Sequence, residues 1–187
     1  MKCLVCGTGM TTQRENFRYE ASGLPGVTLL GVEVSRCRAC GEYEVAIPQI
    51  EDLHKTIAQA LIRKPSRLDA AEIRYLRKYL GWSGADFAAH MGTTPETTSR
   101  WETGAVRMGP VADRLLRLMV ATRDPVSDYA LDLLATITTQ RTTQAVRLGL
   151  KRDKEGWHAG AIPMAGQGRV RRSRRPGPVP TPTGAVG

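Results

Sequence analysis

Apolar and polar residues follow two different periods along this chain, and the change between them divides it. In residues 27–34 and 42–47 the two kinds alternate, which is the two-residue period of a strand. The segment RENFRYEA (14–21) precedes them, and SGLPG (22–26) marks a turn between it and the second segment, so about three strands are expected before residue 48. From Pro48 the period lengthens. Ile50, Leu53, His54, Ile57, Ala60 and Leu61 recur at helical spacing, Pro48 suits an early helical position, and Lys64-Pro65-Ser66 is the stop.

Four further helices are predicted from Arg67 to Ala121. The first runs from an Asp69 cap to Leu80 with Gly81 behind it, and its apolar stripe is Ile73, Leu76 and Leu80. The second starts at a Ser83 cap, carries Phe87, Ala88 and Met91, and ends at Gly92. The third begins almost at once, with Thr94 as cap and Pro95 in its first position. Two short helices joined by a turn containing glycine make a helix-turn-helix arrangement. The fourth, about 110–121, carries Val111, Leu115, Leu118 and Met119. A last apolar stripe, Val126, Tyr129, Ala130, Leu133, Leu134 and Ile137, comes after the Asp124-Pro125 start signal. It either closes its own domain or packs against its twin in a dimer. AVRLGLKRDKEGWHAG (145–160) suggests a hairpin turning at DKEG, and residues 161–187 have no apolar period.

The expected organisation is therefore α+β and multi-domain. Residues 1–47 form a zinc-ribbon-like β module, 48–66 a linking helix, 67–141 an all-α helix-turn-helix domain, 142–160 a hairpin extension and 161–187 a disordered basic tail. Length allows about one or two small domains, and with only 5% aromatic residues the core must rest on Leu, Ile, Val and Ala. Charge changes the picture. Residues 1–150 hold 19 Lys/Arg against 16 Asp/Glu, a net of +3, whereas residues 151–187 hold 8 against 2, a net of +6. The basic excess belongs largely to the tail, where Arg169, Arg171, Arg172, Arg174 and Arg175 fall within seven residues. This charge suits a polyanion partner, nucleic acid ahead of a membrane surface, with the tail as a clamp on the DNA backbone. No run approaches the roughly 18 apolar residues of a membrane span, and MKCLVCGTGM lacks the apolar stretch of a signal peptide. A cytoplasmic protein is expected.

Cys3 and Cys6, then Cys37 and Cys40, make two C-x-x-C pairs. Two intervening residues let one tight turn aim both sulfurs at a single ion, and Gly7 and Gly41 stand where such a turn needs positive φ. Two turns complete a tetrahedron, so one Zn2+ per chain is expected. With four thiolates the coordination shell is closed and the metal structural. Two disulfides would need an oxidising compartment, and a redox C-x-x-C would need a βαβ context that is not evident. So small a module needs the metal's stabilisation. His54 is read as a satisfied, partly buried histidine and not as a fifth ligand.

On a helical wheel from Pro95, Thr98 and Trp101 share one face, which should pack on the preceding helices. Glu96, Ser99 and Arg100 share the other. In a helix-turn-helix that outer face enters the major groove. Arg100 then suits guanine O6 and N7, Glu96 a cytosine amine, and Thr94, Thr97 and Thr103 phosphates. Arg107, just beyond the helix, completes the candidate DNA-binding set.

CLVCG near the start, CRACGE near residue 40 and EIRYLRKYLGWSGADFAAHMGTTPETTSRWETG together resemble the MqsA/YgiT-type antitoxins, over about residues 1–121. The resemblance implies an N-terminal zinc-binding domain that can hold a toxin partner. It also implies an Xre-like, lambda-repressor-like helix-turn-helix domain that dimerises through residues 105–138 and binds palindromes in its own promoter. In that family the base-reading arginine before an aromatic residue and a glutamate corresponds to Arg100, and a second, usually polar, base-reading position falls on Glu96. Relatives often carry a phosphate-gripping glutamine where this chain has Gly84, so that contact is expected to be absent. The expected function is a dimeric repressor bound to a palindromic operator in double-stranded DNA, which makes the protein nucleoid-associated. The alternative is an adaptor whose zinc module captures and inhibits a toxin or other partner. An enzyme is not expected: His54, His90 and His158 are scattered, and no nucleophile–base pair or phosphate loop is evident.

Overall fold

A computed structural model describes residues 1–123 and 145–160. β1 (Met10–Arg18) and β2 (Val27–Cys37) form a long antiparallel pair, linked through a single 3-10 turn at Glu20–Ser22. The pair slips between Glu15 and Phe17, where β2 sets two residues against one. The Asn16 side-chain carbonyl accepts the Gly31 amide there at 3.0 Å. The slip keeps Leu29 and Val32 on the same inward face although they are three apart; both are buried. β3 (Tyr43–Val45) pairs with β2 at Val34–Arg36. Among the described residues five helices come next: α1 (Ile50–Arg63), α2 (Ala70–Tyr79), α3 (Gly84–His90), α4 (Pro95–Thr103) and α5 (Pro110–Arg123). The hairpin of β4 (Leu148–Arg152) and β5 (Trp157–Gly160) returns to the first sheet, with β4 parallel to β2 at Val27–Leu29. β2 is thus the sheet's centre, with β1 along one edge and β3 and β4 sharing the other.

The fold is mixed α and β, and its two parts are packed together. Leu53, Ile57 and Leu61 of α1 are fully buried, and one apolar cluster runs from Val27 and Leu29 through them to Leu76, Phe87 and Leu116. The strands of the expected ribbon therefore do not stand alone: β4 pairs with β2, and the buried side chains of β2 share one apolar cluster with those of α1. Trp157 anchors the hairpin, its amide donating to Asp52 Oδ2 at 2.8 Å and its indole to the Pro48 carbonyl at 3.1 Å.

Local signals set the helix limits. Asp69 with Glu72 and Ser83 with Asp86 form reciprocal capping boxes at the starts of α2 and α3. Thr94 caps α4, with Pro95 next. Gly92 takes φ +62° between α3 and α4, a value that costs glycine nothing. Pro48 lies outside α1, whose cap is Gln49.

Two buried ionic groups depart from the apolar pattern. Val111 and Leu118 of α5 are 77% and 40% exposed, whereas Asp113 and Arg117 are fully buried beside Leu116 and Val120. The stripe expected from Val111, Leu115, Leu118 and Met119 is therefore rotated. The cause is local chemistry: the Arg117 guanidinium donates to the carbonyls of Ile62 (3.0 Å), Lys64 (2.6 Å) and Ser66 (2.8 Å), at and just beyond the end of α1. It also pairs with Asp113 at 2.6 Å, which accepts the Leu68 amide at 2.8 Å. Elsewhere Lys64 meets Glu72 at 2.6 Å, and burial pushes the Glu72 carboxyl up against the pull of that lysine.

No helix among the described residues is long and apolar enough to cross a membrane. The stripe expected at 124–138 and the arginines at 169–175 lie outside the described residues.

Candidate functional site

The four cysteines come together where β1 begins and β2 ends. Cys3 Sγ stands 3.5 Å from Cys40 Sγ, Cys6 Sγ stands 3.4 Å from Cys37 Sγ, and all four sulfurs lie within 4.8 Å of one another. The two turns are built alike. The Gly7 amide donates to the Cys3 carbonyl (2.9 Å) and the Cys3 amide to Thr8 (2.9 Å); the Gly41 amide donates to Cys37 (3.1 Å) and the Cys37 amide to Glu42 (2.8 Å). Gly7 and Gly41 take φ +71° and +76°, as the knuckle spacing requires. In each pair the first cysteine is buried and the second exposed.

This donor set fits a metal ion. A metal–sulfur bond of about 2.3 Å puts tetrahedral sulfurs roughly 3.8 Å apart, close to the separations here, and a disulfide would need about 2.05 Å. The thiols of the cluster differ in acidity. Hydrogen bonds from the Thr8 side chain and backbone hold the Cys6 thiol at about 6. At Cys40 a backbone hydrogen bond at Glu42 likewise lowers the pKa, but the neighbouring Cys6, with burial and the other two thiols, outweighs it and that thiol is pushed up to about 12. Four neighbouring sulfurs do not all ionise unless a cation balances them. Among the described residues no other group of three or more His, Cys, Asp or Glu side chains gathers in this way. His54 sits apart from the cluster: it is 3.1 Å from the Tyr19 hydroxyl, and burial lowers its pKa.

The second feature is the outer face of α4. Thr98 and Trp101 are 2% and 9% exposed, and Trp101 meets Phe87 of α3 edge-on at 6.4 Å. Glu96, Ser99 and Arg100 are exposed. Glu102, at the far end, holds the helix in place: Arg77 of α2 grips its carboxylate at 2.5 and 3.1 Å, and Arg74 donates to its carbonyl at 2.5 Å. A two-pronged arginine–carboxylate pair fixes orientation as well as distance.

Other candidate residues are engaged with the helix itself. Thr94 Oγ1 accepts the Thr97 amide at 3.3 Å and lies 3.2 Å from Thr97 Oγ1. Thr103 Oγ1 donates to the carbonyls of Ser99 (3.0 Å) and Arg100 (3.3 Å). Glu96 folds toward the N-terminal end of α4, where its own amide and the Thr94 hydroxyl lower its pKa. Arg107 is exposed between α4 and α5, and its charge reaches Arg67. Gly84 is exposed in the first turn of α3. Nothing along the chain hints at the Glu102 clamp, since a glutamate near the end of a polar helix looks like any solvated charge.

No family model matches this sequence, and no curated protein matches it.

Proposed function

We propose that this protein is a sequence-specific DNA-binding repressor, stabilised by zinc and acting as a dimer on a palindromic operator in its own promoter. In this reading α3 and α4 are the helix-turn-helix, α4 lies in the major groove, and promoter occlusion is the mechanism. The observation that carries it is the two-sidedness of α4: Thr98 and Trp101 seal it to the core while Ser99 and Arg100 stand exposed on a helix clamped through Glu102. The likeness in motif order to MqsA/YgiT-type antitoxins supports the same reading. Arg100 supplies the largest base-specific contact, bidentate to a guanine. Glu96, drawn back to the helix end, contributes less than a free carboxylate would.

Fluorescence anisotropy on the protein's own upstream DNA against a scrambled duplex, at about 150 mM salt, tests the proposal. Arg100→Ala is expected to cost about 1–3 kcal/mol on the operator and little on scrambled DNA. Equal, weak binding of wild type to both duplexes would overturn it. Removing residues 169–187 should weaken binding to every sequence and flatten its salt dependence; an unchanged salt slope would exclude the tail from the contact.

A second reading has its own observation. Leu4 and Val5, inside the first cysteine knuckle, are 92% and 70% exposed, and Met1 beside them is 68% exposed. Apolar side chains held out by a metal knuckle suit a protein partner, such as the toxin that the resemblance implies. A Leu4→Asp/Val5→Asp variant that still binds the operator but no longer binds a co-expressed product of the adjacent gene would establish it.

A further inference from the structure

We infer that residues 145–160 are a clasp, seated in a notch at Gly26, that locks the cysteine-bearing sheet to the helices and so fixes α4 relative to the metal site. The segment touches three parts of the molecule. On the sheet, β4 lies beside β2, and the Leu148 amide donates to the Gly26 carbonyl at 3.0 Å. On α1, Trp157 donates to Asp52 and to Pro48 just before the helix, and Thr56 Oγ1 donates to the Trp157 carbonyl at 3.0 Å. On α2, the Val146 amide donates at 3.2 Å to Glu72 Oε1, the carboxylate that also closes the α2 capping box and holds Lys64. One short hairpin thus spans the two halves of the molecule.

Gly26 is the seat because of its size. A Cβ there would stand 2.1 Å from the Val146 carbonyl oxygen. That atom is backbone, so it can yield only if the clasp itself moves. A second sign lies at the other end. Gln49 takes φ +51°, a left-handed conformation unfavourable to a residue with a side chain. Arg152 of the clasp holds it, its Nε and Nη2 donating to Gln49 Oε1 at 3.1 and 2.7 Å. The apolar part of the clasp is small: Leu148, Leu150 and Trp157 are its buried side chains, with Val146 half-buried at its start. These bonds involve no cysteine and no residue of α3 or α4. Whatever sits at the metal end is therefore held in a fixed position relative to α4 while the clasp is seated, and is released from it when the clasp lifts.

The test uses the full-length, metal-loaded protein. Gly26→Ala should raise amide exchange across 146–152 and the first turn of α1 by roughly tenfold or more and enlarge the radius of gyration in solution scattering. Metal content and protection at Cys3, Gly7, Cys37 and Gly41 should stay as in wild type. Val146→Pro removes the amide that bonds Glu72, together with the half-buried valine side chain, and should give the same pattern more weakly, which guards against a Gly26→Ala chain that fails to fold. Wild-type exchange and dimensions in both variants would overturn the clasp. So would a loss of protection in Val146→Pro that spreads through the knuckles and α3–α4, since the hairpin would then be an inseparable part of one fold.

Discussion

Removing the metal is expected to unfold the knuckle end of the sheet and to leave its other half standing. Among the described residues, the chain from 1 to 9 is tied down by little: the end of the β1–β2 ladder at Met10–Cys37, the Lys2–Gly9 bridge and a few backbone bonds within each turn. A shared ion is what would hold it to the loop at 38–42. Without a cation the sulfurs are an apposed set of ionisable groups within 4.8 Å, and the turns lose their reason to meet. In small peptides that fold only around zinc, the ion supplies about 10–16 kcal/mol. Here the share is smaller, because Val27, Leu29, Val32 and Val34 also belong to the apolar cluster that includes α1. A loss of about 5 kcal/mol would still rival the whole stability of many domains, and it would lower the melting temperature by roughly 10–20 °C for a chain of this size. Chelation and then hydrogen exchange should show the amides of Cys3, Gly7, Cys37 and Gly41 becoming fast while Leu29 and Leu150 stay slow. Zinc should restore the first group. Equal protection of the knuckle amides with and without metal would remove the structural role. Elemental analysis of the purified protein settles which ion it is, since a four-sulfur tetrahedron suits iron as well as zinc.

The parts of this molecule that could be read from sequence are those whose cause is local. Asp69, Ser83 and Thr94 announce α2, α3 and α4 because a cap acts within three residues of itself. The cysteine spacing foretells the sulfur cluster because each turn is closed by its own backbone. The division of α4 into a buried face at Thr98 and Trp101 and an open one at Ser99 and Arg100 comes from helical geometry alone. The hairpin at 145–160 is legible for the same reason: its turn residues are adjacent.

Its place in the fold is not. The parallel pairing of Leu148–Leu150 with Val27–Leu29 joins segments about 120 residues apart, and no period or cap at either end records the partner. The missing side chain at Gly26 is the one trace, and by itself it looks like the end of a turn. The rotation of α5 escapes for a related reason. Arginine and aspartate four apart on a helix read as a solvated pair, and only the open carbonyls of α1, about 50 residues earlier, make the interior a favourable place for them. Hydrophobic spacing alone turns α5 to the wrong face, because it gives no weight to a buried guanidinium with carbonyls waiting for it.

That buried arginine gives the largest single-residue effect expected on stability. Arg117→Ala should cost about 3–5 kcal/mol, because it removes one member of a buried ion pair and leaves the Asp113 carboxylate with only the Leu68 amide and the more distant charge of Arg67. Three carbonyls, of Ile62, Lys64 and Ser66, lose a donor in the same step, and a buried acceptor without a partner adds about 1–3 kcal/mol unless water reaches it. Methionine at 117 would refill the volume but not the bonds, so Arg117→Met should recover only a minor part. The pair can be separated from the carbonyls by a double-mutant cycle with Asp113→Ala. If the charge pairing dominates, the double variant is less unstable than the sum of the singles, because neither leaves the other's charge buried alone. If carbonyl capping dominates, Arg117→Ala is as damaging without Asp113 as with it. Urea unfolding of the four proteins measures both quantities, and a cost below about 1 kcal/mol for Arg117→Ala would mean that solvent already reaches the end of α1. Arg117 is buried and outside the open face of α4, so the surviving folded fraction should retain whatever DNA affinity wild type has, which distinguishes this variant from Arg100→Ala.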